Sequence, residues 1–539
     1  MCFKLPIECI EHRDITETIQ TDLDLVHCYK KILGDSELLT QWCGSYTTQE
    51  TFLRDTQCIV QKMNVIPYDQ CAWRTVYEPF STETNFKEKY QYLNVALLDP
   101  LNYSSFFMQT LSIYNITAPL FSLCTPIFIF IVPFFILRLK NITISGQEYT
   151  ELLQEMMKRT NVYKFFYENE YMTYQQKATL IASIVFYIFQ IYQNILSCIQ
   201  FYKNIHTISA FMDCAKETCK QSIQQIDQLN ALLTPYLSYI AFLNQNNAQK
   251  AVLEQMLKKI SFIFPYKNTL SRLSQIGYIM SLYYSLFYDT TYHDAFHYAK
   301  HLNAYVKDMI TFKTLHAKKK WNSCQFGKEK TYMKSSFYLA NIYDKPVKNN
   351  IILDKNIMIT GPNASGKTTL IKSVLLNLIM SQQLGMGCYK KANIHIYDHF
   401  HSYLNIPDTS GRDSLFQAEA RRCKDILSII DEHKTYRHFC IFDELYSGTN
   451  PNDAVLCAEI YLKGLSQYKN VEFILTTHYI KLCEIFDALD KDIKNIKMNV
   501  VEHKESIEYT YKIKKGISYV HGGKQVLKDL KYPEHLFLL

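Results

Sequence analysis

The sequence predicts an α/β domain built around a phosphate-binding loop at its C-terminus, preceded by long helices. Three observations predict it. From about residue 318 onward, short apolar runs alternate with helical periodicity, the signature of a sheet flanked by helices. The run Gly361-Pro-Asn-Ala-Ser-Gly366-Lys367-Thr368 fits the pattern G-x-x-x-x-G-K-[ST]. Only 15 Gly and 14 Pro occur in 539 residues, which favours long helices over a loop-rich β protein.

Bulk properties narrow the class further. A net charge of +7 is mild for this length and argues for neither nucleic acid nor anionic lipid as a partner. The 16 cysteines are scattered. The closest pair, Cys214 and Cys219, has no second pair to complete a zinc site, so the cysteines read as thiols in a reducing compartment. Met1-Cys-Phe-Lys-Leu-Pro lacks a basic region followed by an apolar core, so no signal peptide is expected.

Residues 1–116 read as mixed and mostly helical, with aromatic and charged residues interleaved, as in Phe86-Lys-Glu-Lys-Tyr90. No chemistry attaches to them. Residues 117–202 are expected to form a membrane helical hairpin. Its first arm, 118–137, is 20 residues without a charge, closed by Arg138 and Lys140. Pro119, Pro126 and Pro133 recur along it, and prolines are better tolerated inside a membrane than in a soluble helix. The second arm, 178–202, is 25 uncharged residues. Gln190, Gln193, Asn194, Ser197 and Gln200 form a polar stripe along it, suited to packing against another helix or to forming the wet side of an ordinary one. The alternative for both arms is a buried helical hairpin in a soluble core. Residues 203–320 read as a helical lever: Ile226, Leu229 and Leu233, then Leu253, Met256 and Leu257, fall at helical spacing, and Gly277 is a rare glycine there.

Residues 321–539 carry the chemistry. The apolar run Asn356-Ile-Met-Ile-Thr360 is the strand entering the phosphate loop, and Leu370, Ile371, Val374, Leu375, Leu378 and Ile379 mark the helix leaving it. Gly361, Pro362, Asn363, Ala364, Ser365, Gly366, Lys367, Thr368 and Thr369 are the expected nucleotide-binding residues, with ATP and Mg²⁺ as cofactors. The glycines let the backbone curl its N–H groups toward phosphate oxygens, and the helix N-terminus adds partial positive charge. Lys367 is expected to reach the β and γ phosphates, and Thr368 to offer its hydroxyl to the metal. Asp443-Glu444 follow the apolar strand 439–442. Asp443 is the expected second Mg²⁺ partner and Glu444 the base that orients the attacking water. His478, at the end of the strand 471–477, is placed to hydrogen-bond the γ-phosphate or that water. Asp413-Ser414-Leu-Phe416-Gln-Ala-Glu419 is by itself a helix start, with Asp413 or Ser414 as cap and Glu419 supporting the first turn. The tail 506–513 alternates like a half-exposed strand and is followed by a turn at Gly516.

Together these residues resemble the ATPase domain of the MutS mismatch-repair family. The resemblance rests on Thr360-Gly-Pro-Asn363-Ala-Ser-Gly-Lys-Thr-Thr369, Ser414-x-Phe416-x-x-Glu419, Asp443-Glu444 and Thr476-Thr477-His478, with Gly411-Arg412, Tyr509–Ser518 and Gly522-Gly523 in support. It implies an ABC-type P-loop ATPase working as a homodimer or heterodimer through these domains. Ser414, Phe416 and Glu419 would then form a signature presented in trans to the partner's nucleotide. It implies double-stranded DNA as a partner and ATP-driven closure of a dimer clamp. It also implies an intracellular protein with a cytosolic ATPase domain. Two departures stand out. No G-x-F-Y-E mismatch-reading motif appears; Phe166-Tyr167-Glu168 lacks the glycine. Apolar segments 118–137 and 178–202 stand where DNA-encircling architecture is expected, implying contact with membrane lipid. The resemblance is therefore to a membrane-associated variant without the mismatch-recognition domain, either a DNA-structure sensor or a scaffold or remodelling ATPase that has lost mismatch recognition.

Overall fold

The computed structural model describes residues 3–539 except 141, 143, 159–162, 164–171, 265–271, 405, 407–413, 490–491, 503–506, 521–526, 528–529, 531 and 533–539. Phe166-Tyr167-Glu168, Gly411-Arg412-Asp413 and Gly522-Gly523 lie outside the described residues. In space the chain does not divide into the four consecutive segments expected from sequence. One compact unit comprises residues 1–68, 224–249 and 297–539, and a second comprises 69–223 and 250–296.

The first unit is organised by a six-stranded sheet. Its strands are β1 Asn356–Thr360, β2 His399–Tyr403, β3 His438–Asp443, β4 Val471–Thr476, β5 Ile493–Glu502 and β6 Ile507–Lys515. They lie in the order β2-β3-β4-β1-β5-β6. The first five are mutually parallel, and β6 closes the edge antiparallel to β5. Burial follows this order. β1, β3 and β4 are buried almost throughout, as strands covered on both faces must be, whereas β6 is largely exposed. The tail strand thus runs two residues beyond its expected end, up to the turn at Gly516, where φ is 109°.

Helix α1, Lys367–Leu384, leaves the phosphate loop and is buried along nearly its whole length, including Asn377, Ser381, Gln382 and Gln383. Residues 1–68 are the reason. Gln383 Nε2 donates to the carbonyls of Trp42 and Ser45, each at 2.7 Å, and Thr47 N donates to Gln382 O at 2.9 Å. Gln382 also exchanges two 2.8 Å bonds with the backbone of Tyr397. Buried amides are tolerable only when satisfied in this way. Residues 1–68 of the segment 1–116, to which the sequence assigned no role, are therefore part of the unit carrying the loop, and 69–116 belong to the second unit.

The second unit is helical. Its aromatic core stacks Phe86 on Phe287 at 3.8 Å and sets Phe80 against Phe211 at 4.3 Å. Phe86 and Tyr90, flanking the charged Lys-Glu-Lys run, are both buried in it. Helices α2 Ser105–Leu139 and α3 Tyr174–Leu233 contain the two uncharged segments, and α2 is continuous over Pro119, Pro126 and Pro133. Helix α4, Ile276–Tyr288, meets α2 at Gly277. A Cβ there would fall 2.3 Å from Gln109 N and 2.4 Å from Ser105 O, both backbone atoms.

Gly277→Ala is therefore expected to destabilise the second unit by about 1–3 kcal/mol, the usual cost of overpacking. Pulse proteolysis in denaturant should show earlier cleavage within 69–223 and 250–296. Cleavage at the wild-type denaturant concentration would mean that the helices part at no cost.

Candidate functional site

The loop between β1 and α1 has the geometry that its residue types require. Gly366 has φ 92° and caps α1, and Ala364 has φ 62°, so the chain turns through left-handed conformations twice in three residues. At Gly361 a Cβ would lie 2.9 Å from both Met498 Cβ and Ser365 Oγ, which leaves no room for a side chain. Asn363 to Thr369 line one wall of a cavity of about 570 Å³. Opposite walls come from Phe337, Tyr338 and Asn349, and from Met498 and Tyr511. Sequence reading gave none of these five a role, although Tyr511 lies in the run Tyr509–Ser518 noted for its resemblance. No local motif marks the other four, because the fold brings them in from the strands and turns before β1 and from β5. Asn377 on α1 fixes one of them by donating to Phe337 O at 3.1 Å.

The polar residues singled out in sequence converge here. Lys367 is buried, and its Nζ donates to Gly361 O at 3.1 Å and Pro362 O at 3.4 Å, and stands 2.9 Å from His478 Nε2. His478 Nε2 is also 3.0 Å from Glu444 Oε1. One imidazole nitrogen thus serves two partners and can satisfy only one at a time. Protonated, Nε2 donates to Glu444; bare, it accepts from Lys367. Thr368 Oγ1 donates to Asp443 Oδ2 at 2.8 Å, and Thr476 Oγ1 donates to Asp443 Oδ1. Glu444 sits at φ 54° and Tyr446 at φ 58°, a strained backbone for residues bearing a Cβ, and Glu444 N is anchored on Thr476 O at 3.0 Å.

Charge follows from these contacts. The hydrogen bond from His478 holds the Glu444 carboxyl below its ordinary value, against the opposing effect of burial, and His478 and Lys367 add attraction. Burial pulls the Lys367 ammonium down, more than Glu444 and Asp443 raise it. Ser365 Oγ is buried with no hydrogen-bond partner among the described residues. An oxyanion against this loop would supply a partner for that hydroxyl and a counter-charge for Lys367. The hydroxyl of Thr368 beside the carboxylate of Asp443 is a hard-oxygen pair of the kind Mg²⁺ selects. The donor set therefore fits a Mg-nucleotide.

The segment 414–419 departs from expectation. Ser414 caps helix Leu415–Glu432, but Gln417, not Glu419, completes the capping box: Gln417 N donates to Ser414 Oγ at 3.3 Å and Ser414 N to Gln417 Oε1 at 3.0 Å. Asp413 lies outside the described residues. Glu419 is buried and reaches the loop after Asp443-Glu444. It accepts from Ser447 N at 3.1 Å, Ser447 Oγ at 2.9 Å and Gly448 N at 3.1 Å. Phe416 packs on Tyr446 with centroids 5.8 Å apart, and a Cβ on Gly448 would fall 2.8 Å from Phe416 N. Ser414 itself is exposed, and among the described residues its side chain makes only the cap.

Comparison with known proteins places this region. Residues 357–538 match the family model MutS domain V. The chain is 28% identical over 198 residues to the DNA mismatch repair protein MutS of Oceanobacillus iheyensis, covering 35% of this chain and 22% of that one. It is 28% identical over 185 residues to the protein of the same name from Bacillus licheniformis, covering 33% and 20%. With the namesake from a Geobacillus species it shares 28% identity over 198 residues, covering 35% and 22%. The chain thus spans about a fifth of the length of the curated relatives it matches.

Two outcomes follow from the geometry. Glu419→Ala breaks three hydrogen bonds to one loop and is expected to lower the stability of the first unit by about 1–3 kcal/mol; an unchanged melting temperature would deny Glu419 that role. His478→Ala should raise the titration of Glu444. The depressed value means that the stabilising charged form is fully present above the ordinary carboxylate pKa and is lost as pH falls through the folded one, so the variant should lose it at higher pH. Carboxyl ¹³C shifts against pH would read this, and an unmoved Glu444 curve would assign the depression elsewhere.

Proposed function

This chain belongs to the MutS family through its C-terminal third, and from that premise we propose that it is a Mg-dependent ATPase whose nucleotide cycle closes a dimer clamp on DNA. One observation carries the ATPase reading: Lys367, Thr368, Asp443, Glu444 and His478, drawn from two strand ends and a helix, are linked by direct contacts beside the cavity of the phosphate loop. Thr368 and Asp443 would hold Mg²⁺, which when bound neutralises charge on phosphate oxygens. The loop Gly361 to Thr369 would cradle the phosphates, with every residue but Pro362 able to offer a backbone N–H. Lys367 leaves the loop carbonyls and His478 for the β and γ phosphates. That frees His478 Nε2 to donate to Glu444 and orient its carboxylate toward the attacking water, whose proton Glu444 accepts.

Ser414, Phe416 and Glu419 are assigned the signature role in trans, against nucleotide held by a second copy or a related subunit. The exposure of Ser414 supports this, since its cap bond leaves the hydroxyl reachable. The tie from Glu419 to Ser447 and Gly448 would pass that contact to the segment following Glu444. DNA as the clamped partner rests on the relatives' name as mismatch repair proteins.

A second reading has its own observation. Among the described residues, helix Tyr174–Leu233 is long and apolar enough to cross a membrane, and only 6% of its most apolar 18-residue window is buried. A soluble core helix would show the reverse. We assign 118–137 and 178–202 to a bilayer hairpin, which makes the protein a membrane-associated ATPase serving as a DNA-structure sensor or as a scaffold.

Steady-state ATPase activity of the full chain in lipid nanodiscs, with and without homoduplex, mismatched and branched DNA, separates these roles. Lys367→Ala should weaken nucleotide binding at least tenfold, and wild-type affinity in that variant would misplace the phosphate site. Glu444→Gln should bind ATP normally, lose turnover by about 10²-fold or more and accumulate as a closed dimer. Turnover at the parent rate would remove Glu444 as the base. Stimulation by one DNA form supports the sensor, and indifference to all of them supports the scaffold.

A further inference from the structure

The hairpin arms touch through polar groups. Tyr187 OH donates to Ser122 O at 2.8 Å, and Asn194 Nδ2 donates to Ser122 Oγ. Along α3 the half-buried or buried positions in this stretch are Leu180, Tyr187, Ile191, Asn194, Cys198 and Phe201, separated by seven, four, three, four and three residues. That is the spacing of one helical seam, and it is the seam that faces α2. Around it the helix exposes large apolar side chains, among them Ile184 at 46%, Phe186 at 68%, Ile188 at 60% and Phe189 at 55%.

Part of the polar stripe does not face α2. Gln190, Gln193, Ser197 and Gln200 are all exposed and follow at intervals of three, four and three. At 100° per residue they form a second seam, roughly 100° around the helix from the first. Ser197 Oγ accepts from Gln91 at 3.3 Å, and Gln200 Nε2 donates to Asn204 Oδ1 at 3.0 Å. The side chains of Gln190 and Gln193 make no hydrogen bond among the described residues. Lys177 and Lys203 bound the uncharged stretch of 25 residues, and Gln190 is its middle residue. In the membrane reading of the preceding subsection, on which this rests, both amides lie near the bilayer midplane. Lipid tails offer them no hydrogen bond, and the cost of an unmatched amide is greatest there.

We propose that Gln190, Gln193 and Ser197 form an intramembrane seam that pairs with the same seam of a second copy of this chain. The chemistry selects a copy of itself. A glutamine amide is both donor and acceptor, so two identical seams related by a two-fold axis satisfy one another, Gln190 against Gln193 in both directions. Heptad-like spacing keeps such a seam in register along a left-handed crossing. The rest of the exposed face, being as apolar as lipid, gives no drive for association, so the amides decide where the copies meet. No residue in the seam carries charge, which removes the repulsion that would otherwise oppose like against like.

The test uses the full chain, labelled separately with donor and acceptor dyes and reconstituted without nucleotide into phosphatidylcholine–phosphatidylglycerol vesicles over a range of protein-to-lipid ratios. Flotation of the vesicles is read on the same samples. The wild type should float and show energy transfer that falls on dilution in lipid. Gln190→Leu with Gln193→Leu, which only makes the helix more lipid-compatible, should float equally and require a roughly tenfold higher protein-to-lipid ratio for the same transfer. Gln190→Asn with Gln193→Asn, which keeps the amides, should stay closer to the wild type. Equal dimerisation of the leucine variant overturns the seam and leaves the membrane reading intact, as does a wild type that floats but stays monomeric. Failure of the wild type to float overturns the membrane reading and the seam together.

Discussion

The burial of helix Lys367–Leu384 is the constraint on which the rest of the first unit depends. A helix that leaves a phosphate loop must present its N-terminus to an open cavity while its body is fixed, or the loop has no defined shape. Here the body is fixed on all sides. Leu375, Leu376, Leu378, Ile379 and Met380 are fully buried, and each such side chain contributes about 1.5–3 kcal/mol relative to exposure. The polar residues of the same helix are spent on register: Gln382 and Gln383 hold residues 42–47, and Asn377 holds Phe337 at the cavity wall. Residues 1–68 and the loop domain thereby share one compact unit.

From that anchored helix the site is built by competition for few partners. His478 Nε2 stands between an ammonium and a carboxylate, and the buried hydroxyl of Ser365 has no partner among the described residues. Buried polar groups left in this condition favour whatever anion completes them. The strained backbone at Glu444 and Tyr446 lies in the same segment and is held from two sides, by Thr476 O at Glu444 N and by Tyr403 OH at Tyr446 N. Glu419 and the close approach of Gly448 to Phe416 extend that control to the helix beginning at Leu415.

The second unit distributes its apolar side chains in two different ways along its length. Its aromatic cluster around Phe80, Phe86 and Tyr283 is an ordinary packed core. Farther along α2 and α3 the distribution inverts, with apolar side chains outward and Tyr187 and Asn194 inward. In water that arrangement would leave a large apolar surface exposed, whereas in a bilayer it costs nothing. Helix α2 runs unbroken through Pro119, Pro126 and Pro133.

Sequence by itself determined the phosphate loop, the strand before it, the helix after it, and the identity of Lys367, Thr368, Asp443, Glu444 and His478 as candidates. These are short-range patterns: a left-handed turn needs Gly366 where it stands, and strand ends are marked by acids and histidine following apolar runs. It also marked the two uncharged segments, since length without charge is a local property. What only the tertiary structure decided are the long-range partners. Glu419 looked like a first-turn helix residue because its spacing from Ser414 permits that, yet Gln417, also within reach of the cap, took the role, and Glu419 was free to bind a loop 28 residues away. Phe337, Tyr338, Asn349 and Met498 line the cavity without any motif. The binding of residues 1–68 to the loop helix likewise has no local signature, because it depends on backbone carbonyls, which every residue carries, meeting two glutamines more than 300 positions away.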